Sequence, residues 1–268
     1  MTASTFPQQL RRWRQHRRCS QLDLALSASV SQRHLSCLES GKALPSRQMV
    51  LLLAEALNLP LRDRNALLLA AGYAPRYAEP ALGTEQLGPV QAALDCLLAQ
   101  HAPFPALIVD RDWHLLQHND GVSRLLQAAG ITPERLANLA DVSGRLNVMR
   151  LTLHPDGLQP LIENLDDVQR HFAQRCRREQ EATLSDAGWL AIQDLLPEMA
   201  GNESETADPL LPVMPLTLRA GHARLSLFAT LTTLGTPMDV TTDELRVECL
   251  HPLDEATRAW FRREPEQA

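Results

Sequence analysis

The sequence predicts a multidomain chain: an all-α head of five short helices, followed by a larger domain mixing helices with a five-stranded antiparallel sheet. Three observations carry this. Across residues 6–71 apolar side chains recur at helical spacing, broken by cap and stop residues. The charge reverses along the chain, from +7 over residues 1–76 to −13 over the rest. Beyond residue 105, short apolar runs bounded by turn signals flank a helical middle.

The head reads as helices over 6–17, 21–28, 32–40, 47–57 and 62–71. Leu10 and Trp13 face inward on the first, and Ser20 and Ser31 stand where a hydroxyl accepts an orphan N–H at the start of the second and third. Gly41 ends the third, Pro45-Ser46 precedes the fourth, and Pro60 separates the last two. Leu22, Ala25, Leu26, Val30, Leu35, Leu38, Met49, Leu52, Leu53 and Leu57 are the expected core. A linker rich in Pro, Gly and Ala, 73–89, then divides a domain of residues 1–72 from one of 90–263, with 264–268 as a tail. The second domain opens with a helix over 90–100 and strands over 106–109 and 113–118. Helices over 120–129, 133–139, 146–154, 164–182 and 186–198 follow, then a loop at 200–208 and strands at 214–219, 223–232 and 244–251. The helices are expected on one face of the sheet.

Composition narrows the function. No apolar run approaches the roughly 18 residues that span a bilayer, and the N-terminus has no signal-peptide pattern; a cytoplasmic protein without membrane contact is expected. Five scattered cysteines with no C-x-x-C pair suit a reduced compartment better than disulfides or zinc. Nucleophile-elbow, P-loop, dinucleotide and zincin motifs are missing, so no enzyme and no catalytic residue is expected. His114 and His118 have the spacing of a helical metal pair, but on a strand they stand about 13 Å apart, too far for one ion. The basic head suggests a polyanionic partner.

Residues 20–46, two amphipathic segments joined by a tight polar turn, are written as a helix-turn-helix. A helix as short as the second fits the major groove, where Gln pairs with adenine and Arg with guanine. With Gln21, Ala25, Val30, Leu35, Leu38 and then Glu39-x-Gly41-Lys42-x-x-Pro45-Ser46, the head resembles the five-helix, lambda-repressor-like DNA-binding domains of the phage-repressor and Xre class. The resemblance implies that Gln32, Arg33 and Ser36 point toward base edges beside Ser31. It also implies phosphate contacts from Gln21, Lys42 and Arg47, and a buried pair between Arg14 and Glu39. His34 reads as an exposed position of the reading helix.

The second domain resembles the ligand-binding half of MmyB-like transcription regulators. The resemblance rests on Pro105-Ala106-Leu107-Ile108-Val109-Asp110 with Trp113 and Asn119, on Asn147-x-x-Arg150-x-x-x-His154-Pro155, and on the Thr232-Thr233-x-Gly235 to Arg246 stretch. Asn164-Leu165 departs from it, standing where Asp-Trp is frequent. It implies a PAS-like fold and a fatty acid as bound effector, with no other cofactor. Candidate ligand contacts are Arg150, His154 and Arg175 for a carboxylate head group, and Phe172 and Phe228 among the apolar lining. A homodimer on a palindromic double-stranded operator is expected, with a small apolar effector as second partner. Two alternatives stay open: a ligand-free domain for dimerisation or protein contact, and a haem or redox sensor using Cys37 or a domain histidine.

Overall fold

The computed structural model describes residues 4–183, 187–196 and 213–263. They form two compact units, one of residues 4–81, 180–183 and 236–243, the other of the remaining described residues.

In the first unit α1 (Phe6–His16), α2 (Gln21–Ser27), α3 (Gln32–Glu39), α4 (Arg47–Ala56) and α5 (Leu61–Ala70) follow the expected order. Ser20, Ser31 and Ser46 each accept the N–H three residues on, from Asp23, His34 and Met49. Gly41, at φ +74°, closes α3 by letting its own N–H reach Leu38 O and the Lys42 N–H reach Cys37 O. Those two bonds satisfy the last carbonyls and turn the chain sharply. The core is Phe6, Leu10, Trp13, Leu24, Ala25, Leu35, Leu38, Val50, Leu53, Leu67 and Leu68, among others. Three expected core residues are not in it: Leu22 is 50%, Leu26 70% and Leu52 38% exposed. On a helix of seven residues two leucine faces compete, and Leu24, Ala25 and Ala28 win because they meet the neighbouring helices. The expected linker also begins later, since Tyr73 packs on this core and its hydroxyl donates to Pro45 O (2.8 Å).

The second unit contains α6 (Gly88–His101), β1 (Ala106–Val109), β2 (Leu115–His118), α7 (Asp120–Ala128), α8 (Pro133–Leu139), α9 (Val148–Leu153), α10 (Leu165–Ala182), α11 (Ala187–Ile192), β3 (Pro215–Ala220), β4 (Ala223–Thr232), α12 (Val240–Glu244), β5 (Arg246–Pro252) and α13 (Glu255–Arg262). Within this list the last turn of α10 and most of α12 belong to the first unit. The five strands form one antiparallel sheet in the order β2-β1-β5-β4-β3. Its main core gathers Leu107, Val109, Leu218, Leu225 and Leu227 with Trp113, Val168 and Phe172. Helices do not cover one face alone: Leu94 and Leu98 of α6 pack on Ala106, Ile108 and Val247 behind the sheet. The unbroken apolar run of β1, buried at all four positions, is what a strand covered on both faces requires.

Element ends differ in instructive ways. The 113–118 strand starts only at Leu115, because Asp110 Oδ1 accepts the N–H groups of Asp112 and His114 and folds a turn in which Trp113 has φ +67°. The helix at 146–154 shrinks to α9, capped by Asn147. The last strand starts at Arg246, since Asp239 accepts from the Thr242 N–H and begins α12 instead. Asp254 does the same for α13 through Thr257; both Asp-x-x-Thr caps were in the sequence and went unread. The helix expected at 186–198 is α11 followed by a short 3-10 turn, where described, and the 200–208 loop and 264–268 tail lie outside the described residues. No helix among the described residues is long and apolar enough to cross a membrane.

Candidate nucleic-acid interface and ligand site

The reading helix is held from behind and open in front. Leu35 and Leu38 are buried, while Ser31, Gln32, Arg33 and Ser36 are exposed, as are Lys42 and Arg47 on either side of the following loop. Behind them Arg14 grips Glu39 with two hydrogen bonds, Nε to Oε1 (2.6 Å) and Nη2 to Oε2 (2.9 Å), and its Nη1 donates to Cys19 O (2.9 Å). The pair is nearly dry, with the Glu39 side chain 4% exposed. Burial opposes charge on Glu39, but the bonds from Arg14 and Gln21 outweigh it and hold the carboxyl below its usual range. Gln21 Nε2 donates to Glu39 Oε2 (2.8 Å), so the side chain expected on phosphate braces the pair with one of its two amide hydrogens. His34 is half-buried.

In the second unit the charged groups turn inward around Trp113. Its indole N–H donates to the Glu179 carboxylate (3.0 Å to each oxygen), which also accepts from Arg246 (2.7 Å). The guanidinium carbons of Arg175 and Arg246 lie 4.6 Å and 5.2 Å from the Trp113 ring centre, close enough for cation–π attraction. Arg175 Nη1 stands 3.6 Å from Glu248 Oε1, an ion pair without a hydrogen bond, and is buried with no hydrogen-bond partner among the described residues. Glu248 lies on the middle strand and is 8% exposed, and burial pushes its carboxyl up despite Arg175. One turn earlier on α10, burial and then Arg175 and Arg178 push His171 down to about 4.

The five ligand candidates are not gathered in one place. Phe172 and Arg175 share the buried face of α10. Phe228 sits on the opposite face of the sheet, stacked on His251 at 4.9 Å, because it is one residue out of phase with the core residues Leu225 and Leu227. Arg150 pairs with Asp194 (3.1 Å) beside a cavity of about 190 Å³ lined by Asp112, His114, Asp141, Arg145 and Asn147. Leu139, Ala140 and Ala191 also line that cavity, which is smaller than the roughly 300–1,000 Å³ typical of small-molecule sites. His154 takes the Asp156 N–H on its Nδ1 (3.0 Å), a local turn. No group of three or more His, Cys, Asp or Glu among the described residues is placed to hold a metal ion.

Several residues of the family pattern prove to be braces. Asn119 caps α7, accepts the Ala106 N–H and donates to Leu98 O and Phe104 O; Asn147 caps α9 and donates to Asp112 O. Sequence reasoning missed Glu179, Arg246 and Glu248, which carry no local signal because their partners are distant in the chain. Residues 10–63 match the Helix-turn-helix family, and residues 90–263 match the MmyB-like transcription regulator ligand binding domain. None of the curated proteins compared with the chain matches it. With well over half of its length in that second match, and a helix-turn-helix ahead of it, the chain belongs to the MmyB-like transcription regulators.

Proposed function

We propose that the protein is a cytoplasmic, homodimeric regulator that reads a palindromic operator through α3 and answers to a small apolar effector with a polar head, of the fatty-acid kind. It acts by binding and not as an enzyme. The observation that carries the effector class is Arg175. Its Nη1 is buried and makes no hydrogen bond among the described residues, with Glu248 only at ion-pair distance, while the guanidinium lies over the Trp113 ring one helical turn from Phe172. A carboxylate or phosphate oxygen would complete it. The sheet order and the helices over its inner face support the PAS-like reading. Reading at α3 follows from its exposed Gln32, Arg33 and Ser36, and a two-fold dimer would place the half-sites one or two DNA turns apart.

Native mass spectrometry of the purified full chain, followed by organic extraction, tests this. A dimer mass with a co-purifying acyl chain, lost on Arg175→Met, is the expected result. A coloured, iron-containing sample would replace the effector by haem. A dimer that retains no small molecule and whose DNA affinity ignores lipids would make the second unit a dimerisation module.

A further inference from the structure

Two stretches of chain pack within the first unit although each is continuous with an element of the second. One is the end of α10, whose last carbonyls have no partner within the helix. Arg17, the C-cap of α1, takes them, donating from Nη1 to Glu181 O and from Nη2 to Ala182 O, both at 2.8 Å. His16 Nε2 adds a bond to Glu181 O (3.1 Å). The same Arg17 donates to Leu57 O and Asn58 O past the end of α4.

The other stretch is 236–243. Its Val240 N–H donates to Ala78 O (2.9 Å) and its Thr241 hydroxyl to Pro80 O (2.7 Å). Asp243 Oδ2 accepts from the Leu61 N–H (3.1 Å). Leu61 opens α5, whose N-cap is Pro60 and supplies no side-chain acceptor. Asp243 therefore does for α5 what Ser20, Ser31 and Ser46 do for their helices, but from a place far along the chain, and puts its negative charge at the favourable end of the helix.

One stretch begins and the other ends close to a single ion pair. Gln180 directly follows Glu179, and Arg246 comes three residues after Asp243. Glu179 and Arg246 are bonded to each other at 2.7 Å on Trp113, and Arg175, one helical turn before Glu179, lies over the same ring. Resting on the effector reading above, we infer that the Glu179–Arg246–Trp113 cluster is the coupling element of this regulator. An occupant beside Phe172 and Arg175 moves the last turn of α10 and the entry to β5, and the two stretches pass that movement to α1 and α5. The step to α3 is short, because Arg14, in the last turn of α1 just before Arg17, holds Glu39 of α3. A cluster of this kind transmits only if its two arrangements differ in affinity for both occupant and DNA.

The test uses the full-length protein, stripped of lipid, a duplex selected by it from a random pool, and sodium dodecanoate as probe. In the native protein dodecanoate should change duplex affinity by about tenfold, and in Arg246→Gln, which should still bind dodecanoate, by less than about twofold. Asp243→Ala interrupts the path at its other end and should blunt the response as well, so the inference does not depend on Arg246→Gln folding. Linkage is reciprocal, so duplex alone, without any lipid, should alter hydrogen exchange at 176–183 and 236–246 in the native protein and not in the variants. If dodecanoate does not bind, the fatty-acid reading fails while the exchange experiment still decides the coupling. A full dodecanoate response in both variants, or exchange at both stretches that ignores DNA in the native protein, overturns it.

Discussion

In the first unit the side chains assigned to the partner, Gln32, Arg33, Ser36 and Lys42, stand in solvent, and a single buried pair, Arg14–Glu39, holds their helix from behind. In the second unit the arrangement is turned inside out: Arg175, Glu179, Arg246 and Glu248 converge on Trp113 within the fold. The proposed partners account for the difference. A duplex is a large, wet polyanion met at a surface, where charge can stay hydrated until contact. On the proposed reading a small apolar effector has to be enclosed, so Arg175, assigned to its polar end, loses water on folding and leans on Glu248 and Trp113 until it arrives.

The sharpest way to break this comparison is Glu39→Ala. It leaves Arg14 buried without its counter-charge, so unfolding by urea should show a loss of about 3–5 kcal/mol; a loss near that of an exposed ion pair would make the two units' buried charges different in kind. The Glu39 carboxyl is held below its usual range, so its contribution is present above the unfolded-state value and disappears as pH falls through the folded one.

Arg33→Ala comes next, at about 1–3 kcal/mol of operator binding and with relaxed choice at one base pair. Equal weakening on specific and random duplexes in a competition assay would remove Arg33 from the base readers. His171 sharpens the comparison from the other side. Its folded-state value lies down at about 4, so below about 6.5 the unfolded chain takes up a proton that the folded one does not. Stability should decline as pH falls from about 6.5 toward about 4, and His171→Gln should flatten that part of a chemical-denaturation series. The smallest effect belongs to Lys42→Ala: all sequences should bind slightly more weakly, and the slope of log affinity on log salt should fall by about one.

Legibility divides along the same line. The three serine caps, the Gly41 stop and the Arg14–Glu39 pair were readable because each has a local signal or a place in a short motif. The leucines of α2 misled because seven residues do not define one face, and Leu22 and Leu26 repeat as well as Leu24 and Ala28 do. Of the ligand candidates, Phe172 and Arg175 share one face of α10, but Phe228 was counted with them although a strand places alternate residues on opposite faces. The conspicuous stretch from Thr232 to Arg246 carried the family resemblance without a structural role; Thr236–Asp243 within it caps α5 and ties down the linker.

The sequence by itself determined where the helices of the first unit start and stop, the helix-turn-helix they contain, and the division into a basic head and an acidic body, since these depend on hydrogen bonds three or four residues apart and on summed charge. Only the tertiary structure decided that Glu179, Arg246 and Trp113 form one cluster, that β5 lies in the middle of the sheet, and that Asp243 caps a helix begun at Leu61. Those partners are set by strand order and by closing long loops, and no pattern of neighbouring residues records which distant groups will meet.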